Sequence, residues 1–237
     1  MSRSTAVVLV CMFIPWTAWS QDVPDWRGVW IAEGLTADIN GFPPPGARWY
    51  KLYGDQAPWN ETGQARFEKM TRDQGTRKAD GWGYPMMMDS AAPMEFLITP
   101  DETLIINIYR DVRHVYTDGR ALPADEDRWP TTWGTSVGHW EGDTLVIETA
   151  SVRDPTRFFF SSPPLSEEAR YVERIHRTAP DRLESVMTIE DPVTLSRPWV
   201  IDLSYVPAGS DRLIHDDYAN DRSEVDGDTF TITPPRE

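Results

Sequence analysis

Apolar and polar residues alternate along much of the chain after Met94, and this alternation predicts a protein built from β-strands. Successive residues of a strand point to opposite faces, so alternation indicates strands with one buried and one exposed face. The same region repeats a turn that contains Asp and precedes a large apolar residue, as in Gly142-Asp-Thr-Leu145. Asp in a turn bonds to the backbone that follows it, so each repeat marks a reversal between strands.

The pattern predicts ten strands in this region. They are Met94–Thr99, Leu104–Tyr109, Arg113–Thr117, Thr135–Trp140, Thr144–Ser151, Arg170–Arg177, Leu183–Ile189, Trp199–Val206, Leu213–Tyr218 and Thr229–Thr233. Their hairpin-by-hairpin order favours an all-β, mainly antiparallel meander that closes into a lipocalin- or calycin-like barrel, with a sandwich as the alternative. A barrel of about eight to ten strands can enclose one small ligand.

The region before Met94 is predicted to consist mostly of loops. Asp25–Ala32 has the apolar content of a first strand, and three consecutive prolines at 43–45 interrupt regular structure. Asn60–Gln74 predicts the one short helix, with Gly75 as its C-terminal cap.

The N-terminus has the features of a secretory signal peptide. Arg3 precedes an apolar run at 6–14, and small residues stand one and three places before a cleavage site after Ser20. A membrane-spanning helix needs about 20 apolar residues, more than this run supplies. We therefore expect residues 1–20 to be removed and 21–237 to form a single β-barrel domain. The mature protein is then periplasmic or secreted, with no membrane partner.

Composition and charge exclude several classes of protein. The 237 residues include 23 Lys and Arg against 38 Asp and Glu, which gives a net charge of −15. A nucleic-acid-binding protein needs a basic face, so we expect no nucleic-acid partner. Loss of residues 1–20 removes Cys11, the only cysteine, and with it disulfides and thiolate chemistry. No flavin, nicotinamide or phosphate-binding motif is present in the sequence, and we expect no cofactor.

Glu173 is the leading candidate for a catalytic acid or base. It shares a strand face with Tyr171 and Ile175, so its carboxylate has apolar neighbours on what should be the core side. Such a carboxylate is either held protonated or paired, and the first case is common among general acids and bases. The alternative is a structural ion pair with an arginine such as Arg113.

Histidine supplies further candidates, because imidazole titrates near neutral pH. The four histidines, all on predicted strands, are His114, His139, His176 and His215. We single out His139 and His176 as proton-transfer groups. Residues on separate strands of a barrel can converge on zinc, but no local pair has metal-ligand spacing, and we expect no metal.

Tyr116 is a third candidate for proton transfer. It alternates onto one side of its strand with His114 and Asp118, an arrangement that suits a proton relay. Asp118-Gly119 is also an ordinary turn signal, and this alternative stays open.

Arginine and aromatic residues are the candidates for ligand binding. Arg113 can hold an anionic or phenolic oxygen, and aromatic rings at a barrel mouth can stack on a small molecule. The predicted binding residues are Arg113, Tyr171, Trp133, Trp140 and Tyr205. The alternative for the loop tryptophans is that they pack inward and hold their own loops in place.

Gly134-Thr-Ser-Val-Gly138 matches the nucleophile-elbow pattern G-x-S-x-G of hydrolases. That motif requires a sharp strand-to-helix turn at the serine. Here Trp140-Glu-Gly-Asp143 follows as a hairpin turn, so we favour a strand of small residues over an elbow.

Four segments together resemble a widespread and largely uncharacterised family of secreted bacterial proteins. They are Tyr116–Arg120, Thr132–Thr149, Val172–Arg174 and Thr188–Pro192, which carry TDGR, W-G-x-S-x-G-x-WEGDTLV, ER and TIEDP in this chain. The resemblance runs from about Asp25 to Asn220. It implies export and a β-rich fold, and it implies no mechanism.

The sequence as a whole favours an exported, cofactor-independent acid/base enzyme, such as a lyase, isomerase or hydrolase. Its substrate would be a small aromatic or apolar molecule bound in the barrel. Two alternatives come from other classes: a periplasmic small-molecule binding or carrier protein without catalysis, and a carbohydrate-binding module that uses exposed tryptophans.

Overall fold

A computed structural model describes most of the chain between Pro24 and Ile232. The described ranges are 24–33, 50–72, 83–90, 92–109, 111–154, 162–209, 212–213, 223–226 and 229–232, the last two as backbone only. The expected signal peptide at 1–20 lies outside these residues, as do His215 and nearly all of the expected strand Leu213–Tyr218.

Nine strands form a closed barrel and follow one another around it in chain order. They are β1 (Val29–Ala32), β2 (Met94–Ile98), β3 (Glu102–Asn107), β4 (Val112–Tyr116), β5 (Thr135–Glu141), β6 (Thr144–Ala150), β7 (Arg170–Ala179), β8 (Arg182–Glu190) and β9 (Trp199–Pro207). Pairing of β1 with β9 closes the barrel. The prediction of an all-β barrel is confirmed.

The strand count and one pairing differ from the expected all-hairpin meander. Strands β10 (Ser223–Asp226) and β11 (Thr229–Ile232) form a separate two-stranded sheet rather than part of the barrel. Strand β4 pairs with β5 in parallel, with Val115 opposite Ser136. A parallel pair needs a crossover of about a dozen or more residues, and the segment at 117–134 provides one.

Alternation along the strands separates the interior from the outer face. In β8 the buried and accessible positions alternate without interruption from Arg182 to Glu190. Interior side chains from several strands, among them Ile105, Ile147 and Met187, have no exposed surface. Trp26, which precedes β1, packs edge-on against Phe96 at 5.5 Å between ring centroids. The interior of the barrel is therefore filled by side chains.

The one α-helix of the described residues, α1 (Glu61–Arg72), begins where the sequence predicts. Asn60 is its N-terminal cap, because its Oδ1 accepts the backbone N–H of Gly63 at 2.9 Å. The Nδ2 of Asn60 donates to the carbonyl of Val193, which anchors the helix to the connection between β8 and β9. None of the described helices is long and apolar enough to cross a membrane.

Two glycines with left-handed backbone lie at the two ends of β5, and they differ in how closely other atoms approach them. Gly134 has φ +67°, and a methyl group on it would lie 2.6 Å from the carbonyl oxygen of Ala150. Gly142 has φ +61°, and no described atom lies within 4 Å of a methyl group placed there. Both alanine variants carry the strain of a left-handed backbone, and only the first also meets a backbone atom.

We expect Gly134→Ala to lower the free energy of unfolding by about 3 kcal/mol and Gly142→Ala by about 1 kcal/mol. Urea unfolding followed by tryptophan fluorescence measures both. Equal losses in the two variants would contradict the close approach of β5 to β6 at Gly134.

Candidate functional site

An ion pair lies inside the barrel, between Arg113 on β4 and Glu173 on β7. The Nη2 of Arg113 is 2.5 Å from the Oε2 of Glu173, and both side chains are 0% exposed. Each residue occupies an inward position of its strand, and β5 and β6 lie between the two strands. Glu173 is therefore paired with Arg113, the arginine that the sequence analysis suggested as its partner in a structural ion pair.

Two hydroxyl side chains on the intervening strands hold the guanidinium of Arg113. Its Nη2 donates to the Oγ1 of Thr149 at 2.9 Å, and its Nε contacts the Oγ of Ser136 at 3.3 Å. Ser136 and Thr149 are register partners in β5 and β6, and their hydroxyl oxygens are 2.8 Å apart. The side chains of neighbouring strands therefore form a continuous polar row from Arg113 to Glu173.

The same geometry decides the role of Ser136 in the G-x-S-x-G pattern. Ser136 lies within β5, is 3% exposed and contacts Arg113 and Thr149. No strand-to-helix turn follows it, because β5 continues to Glu141 and reverses into β6. The preference for a strand of small residues over a nucleophile elbow is confirmed.

Tyr84 completes the cluster from outside the barrel strands. Its hydroxyl donates to Glu173 Oε2 at 3.0 Å, and its ring lies under the Arg113 guanidinium, 4.1 Å from ring centroid to Cζ. It also packs edge-on against Tyr171 at 4.9 Å between centroids. Tyr84 is 0% exposed. Sequence reasoning missed it, because it lies in an irregular segment and no periodicity shows where its side chain points.

Each member of the ion pair keeps one polar atom without a partner. Among the described residues, the Oε1 of Glu173 and the Nη1 of Arg113 make no hydrogen bond, and neither do the hydroxyls of Ser185 and Thr103. All four residues are almost fully buried. Buried polar atoms are nearly always hydrogen-bonded in proteins, and an unmet one is costly. The centre of the barrel thus offers unused donors and acceptors.

Electrostatics keep Tyr84 a hydrogen-bond donor. Burial, reinforced by the negative charge of Glu173, raises the pKa of Tyr84 well above its ordinary value of 10.0. Burial opposes the charge on Arg113, but the neighbouring Glu173 carboxylate outweighs it, and the pKa of Arg113 is raised. At neutral pH the cluster therefore contains a guanidinium ion and a neutral phenol.

The other predicted proton-transfer residues lie on the outer face of the barrel. His139 is 57% exposed in its side chain and contacts Glu141 at 3.2 Å. Tyr116 is half-buried, and the guanidinium of Arg120 lies 4.0 Å above its ring. His176 is half-buried and alternates with the inward-facing Ile175 on β7. The structure therefore does not bring His139, His176 or Tyr116 to Glu173, because neighbouring residues of a strand face opposite sides.

The predicted binding residues divide into two groups. Tyr171 and Tyr205 are buried in the interior, as is Arg113, and thus share the interior with Glu173. Trp133 and Trp140 are half-buried and pack against the core, with Trp140 5.3 Å from Trp26 between ring centroids. These two tryptophans therefore pack inward, which was the alternative to an exposed binding surface.

The described residues contain no group of three or more His, Asp or Glu side chains that could hold a metal ion. Comparison with known proteins found no matching family model and no matching curated protein. The resemblance to a secreted bacterial family stays a prediction.

The ion pair generates a test of coupling between its two members. Arg113→Met leaves Glu173 buried without its cation, and we expect a loss of about 3–5 kcal/mol in the free energy of unfolding. The double variant Arg113→Met/Glu173→Met removes both charges and should recover to within about 2 kcal/mol of the parent protein. Urea unfolding measures all the variants. A double variant less stable than Arg113→Met would contradict a coupled pair, because removal of the second charge would then add a further loss instead of recovering stability.

The raised pKa of Tyr84 generates a test at alkaline pH. An unfolded tyrosine ionises near pH 10.0 and the folded one at higher pH, so folding favours the protonated form. The contribution of Tyr84 to stability is therefore complete below about pH 10 and is lost as the pH rises above it. When the pH is raised from neutral to above 10, the free energy of unfolding should fall less in Tyr84→Phe than in the parent protein. Urea unfolding at both pH values measures this difference. Identical pH profiles would contradict the buried position of the phenol.

Proposed function

We propose that this protein is an exported enzyme that acts by acid/base chemistry, without a redox cofactor, on a small aromatic or apolar molecule bound in its barrel. The supporting observation is the Glu173 carboxylate, which is buried at the centre with one oxygen engaged and one unused. A carboxylate fixed in this way is a suitable general base, because its unused oxygen is available to accept a proton.

The groups around Glu173 suit the stabilisation of negative charge. When a proton leaves an apolar substrate, the developing charge needs preorganised donors in a site from which water is excluded. Arg113 has an unused N–H at Nη1, and Tyr84 has a hydroxyl that stays protonated. In this proposal Glu173 accepts the proton and the unused N–H of Arg113 donates a hydrogen bond to a substrate oxygen, while the Tyr84 hydroxyl keeps its hydrogen bond to Glu173 Oε2. This chemistry is that of a lyase or an isomerase.

Apolar walls around the cluster support an aromatic or apolar substrate. Ile147 and Met187 are the register partners of Glu173 on the two neighbouring strands, and both are fully buried. Tyr171 lies two residues away on the same face of β7. A ligand beside Glu173 therefore meets aliphatic and aromatic surface on most sides, with hydrogen-bonding groups at one point.

Entry of a substrate requires movement of the segment from Gly83 to Ser90, which carries Tyr84 into the barrel. Its hydrogen bonds to other described parts of the chain include those from the N–H of Tyr84 to the carbonyl of Thr132 at 3.0 Å, from the N–H of Leu52 to Asp89 at 2.7 Å, and from the Tyr84 hydroxyl to Glu173. Three consecutive methionines follow in the segment, at 86–88, all fully buried. Methionine side chains adapt readily to a new neighbour, so their positions can be taken by a ligand.

A binding or carrier protein without catalysis is the second candidate. It is favoured by the pairing of Glu173 with Arg113, since a carboxylate whose charge is already balanced is a stable hydrogen-bond acceptor. A carbohydrate-binding module has less support. Among the described tryptophans only Trp129, at 72% exposure, presents a large free ring.

Glu173→Gln tests catalysis directly. The amide keeps the shape of the side chain but cannot accept the substrate proton as a carboxylate does, so we expect turnover to fall by at least about 100-fold. Turnover is measured by product analysis after incubation with a panel of small aromatic compounds, and circular dichroism checks that the fold is retained.

Glu148→Gln is the matched control for this variant. Glu148 lies on the neighbouring strand β6 but on the exposed outer face, and its loss should leave turnover unchanged. Full activity in Glu173→Gln would rule out the assignment of the base. Binding of a compound without any product, in the parent protein, would instead favour the carrier.

A further inference from the structure

We infer that the barrel selects uncharged ligands, whose polar group both donates and accepts a hydrogen bond, over carboxylate and ammonium analogues of the same size. Primary amides, alcohols and phenols belong to this class. The inference rests on the proposed binding of a small molecule beside Glu173, and it adds the charge and the hydrogen-bonding pattern of that molecule.

The charge balance of the interior is the first support. Arg113 and Glu173 are 0% exposed and neutralise one another at 2.5 Å. The other buried carboxylates of the described chain are engaged elsewhere: Asp89 accepts the N–H of Leu52, and Asp191 accepts the hydroxyl of Ser166 at 2.7 Å. A charged ligand at the centre would therefore be a third charge without a counter-ion, which a low-dielectric interior strongly disfavours.

The ion pair is also held too firmly to exchange partners with a ligand. Arg113 donates to Thr149 at 2.9 Å as well as to Glu173, and its guanidinium stacks on the ring of Tyr84. Glu173 Oε2 accepts from both Arg113 and Tyr84. A ligand carboxylate that displaced Glu173 would leave that carboxylate buried and unpaired. The favourable route is to bind beside the intact pair.

The unused polar atoms specify what binds there. Arg113 Nη1 can only donate a hydrogen bond, and the carboxylate oxygen Oε1 of Glu173, opposite the guanidinium, can only accept one. The hydroxyls of Ser185 and Thr103, also without partners among the described residues, can do either. Ser185 is close to Glu173, since it pairs with Ile175, two residues along on the same face of β7. A group with both an acceptor and a donor satisfies these atoms, whereas a carboxylate supplies acceptors only.

Three probes with one aromatic ring and different charges test the inference: benzamide, benzoate and benzylammonium. Their dissociation constants for the purified protein at neutral pH are measured by titration calorimetry. We expect benzamide to bind at least about tenfold more tightly than either charged probe. Benzoate should also bind more tightly as the pH falls towards the pKa of benzoic acid, while benzamide binding stays constant. The pH series needs no variant.

Two variants should redirect the charge preference. Glu173→Gln leaves Arg113 without its counter-charge, so the preference should move towards benzoate by at least about tenfold relative to benzamide. Arg113→Met leaves Glu173 alone and should move it towards benzylammonium by a similar factor. Glu148→Gln, on the outer face, should keep the original order of affinities. Circular dichroism identifies a variant that fails to fold, in which case the pH series decides.

The outcomes distinguish selection by ligand charge from small-molecule binding itself. Equal affinity for benzamide and benzoate, or tighter benzoate binding, in the parent protein would overturn the charge selection but leave small-molecule binding intact. Failure of all three probes to bind would overturn both.

Discussion

The buried ion pair between Arg113 and Glu173 is the interaction on which the interior of this protein depends. It joins β4 to β7 through the hydroxyls of Ser136 and Thr149 on the strands between them. A shift of one residue in the register of either strand would turn its charged side chain to the opposite face. The remaining charge would then be buried alone, at a cost of several kcal/mol. The pair therefore favours one register across four neighbouring strands.

The same constraint shapes the chemistry available to the protein. A filled apolar barrel can tolerate charge at its centre only where the charges cancel, and the polar atoms that the pair leaves unused are then the natural contacts for a ligand. Tyr84 adds a hydroxyl to this centre from a loop segment rather than from a strand. The barrel strands thus hold the two charged groups, whereas the phenol that contacts both comes from a segment between α1 and β2.

Much of the fold follows from local pattern. Alternation predicts the strands from Met94 to Val206 to within a few residues, and Asn60 marks the start of the helix. Two features differ from the expected meander: the parallel pairing of β4 with β5, and the hairpin of β10 and β11 outside the barrel. Both depend on the path of a connection, and turn signals such as Asp118-Gly119 do not specify where the chain goes next.

The sequence by itself predicted a series of β-strands that favours a barrel, placed Glu173 on the same strand face as Tyr171, and offered Arg113 as a partner. Period-two alternation determines these features, and it is a property of neighbouring residues. Only the tertiary structure placed Tyr84 on Glu173, across 89 positions, and put His139, His176 and Tyr116 on the outer face. Alternation shows which residues share a face but not which face is inside. Closure of the barrel decides that, because it turns the face that carries most of the large apolar side chains towards the interior.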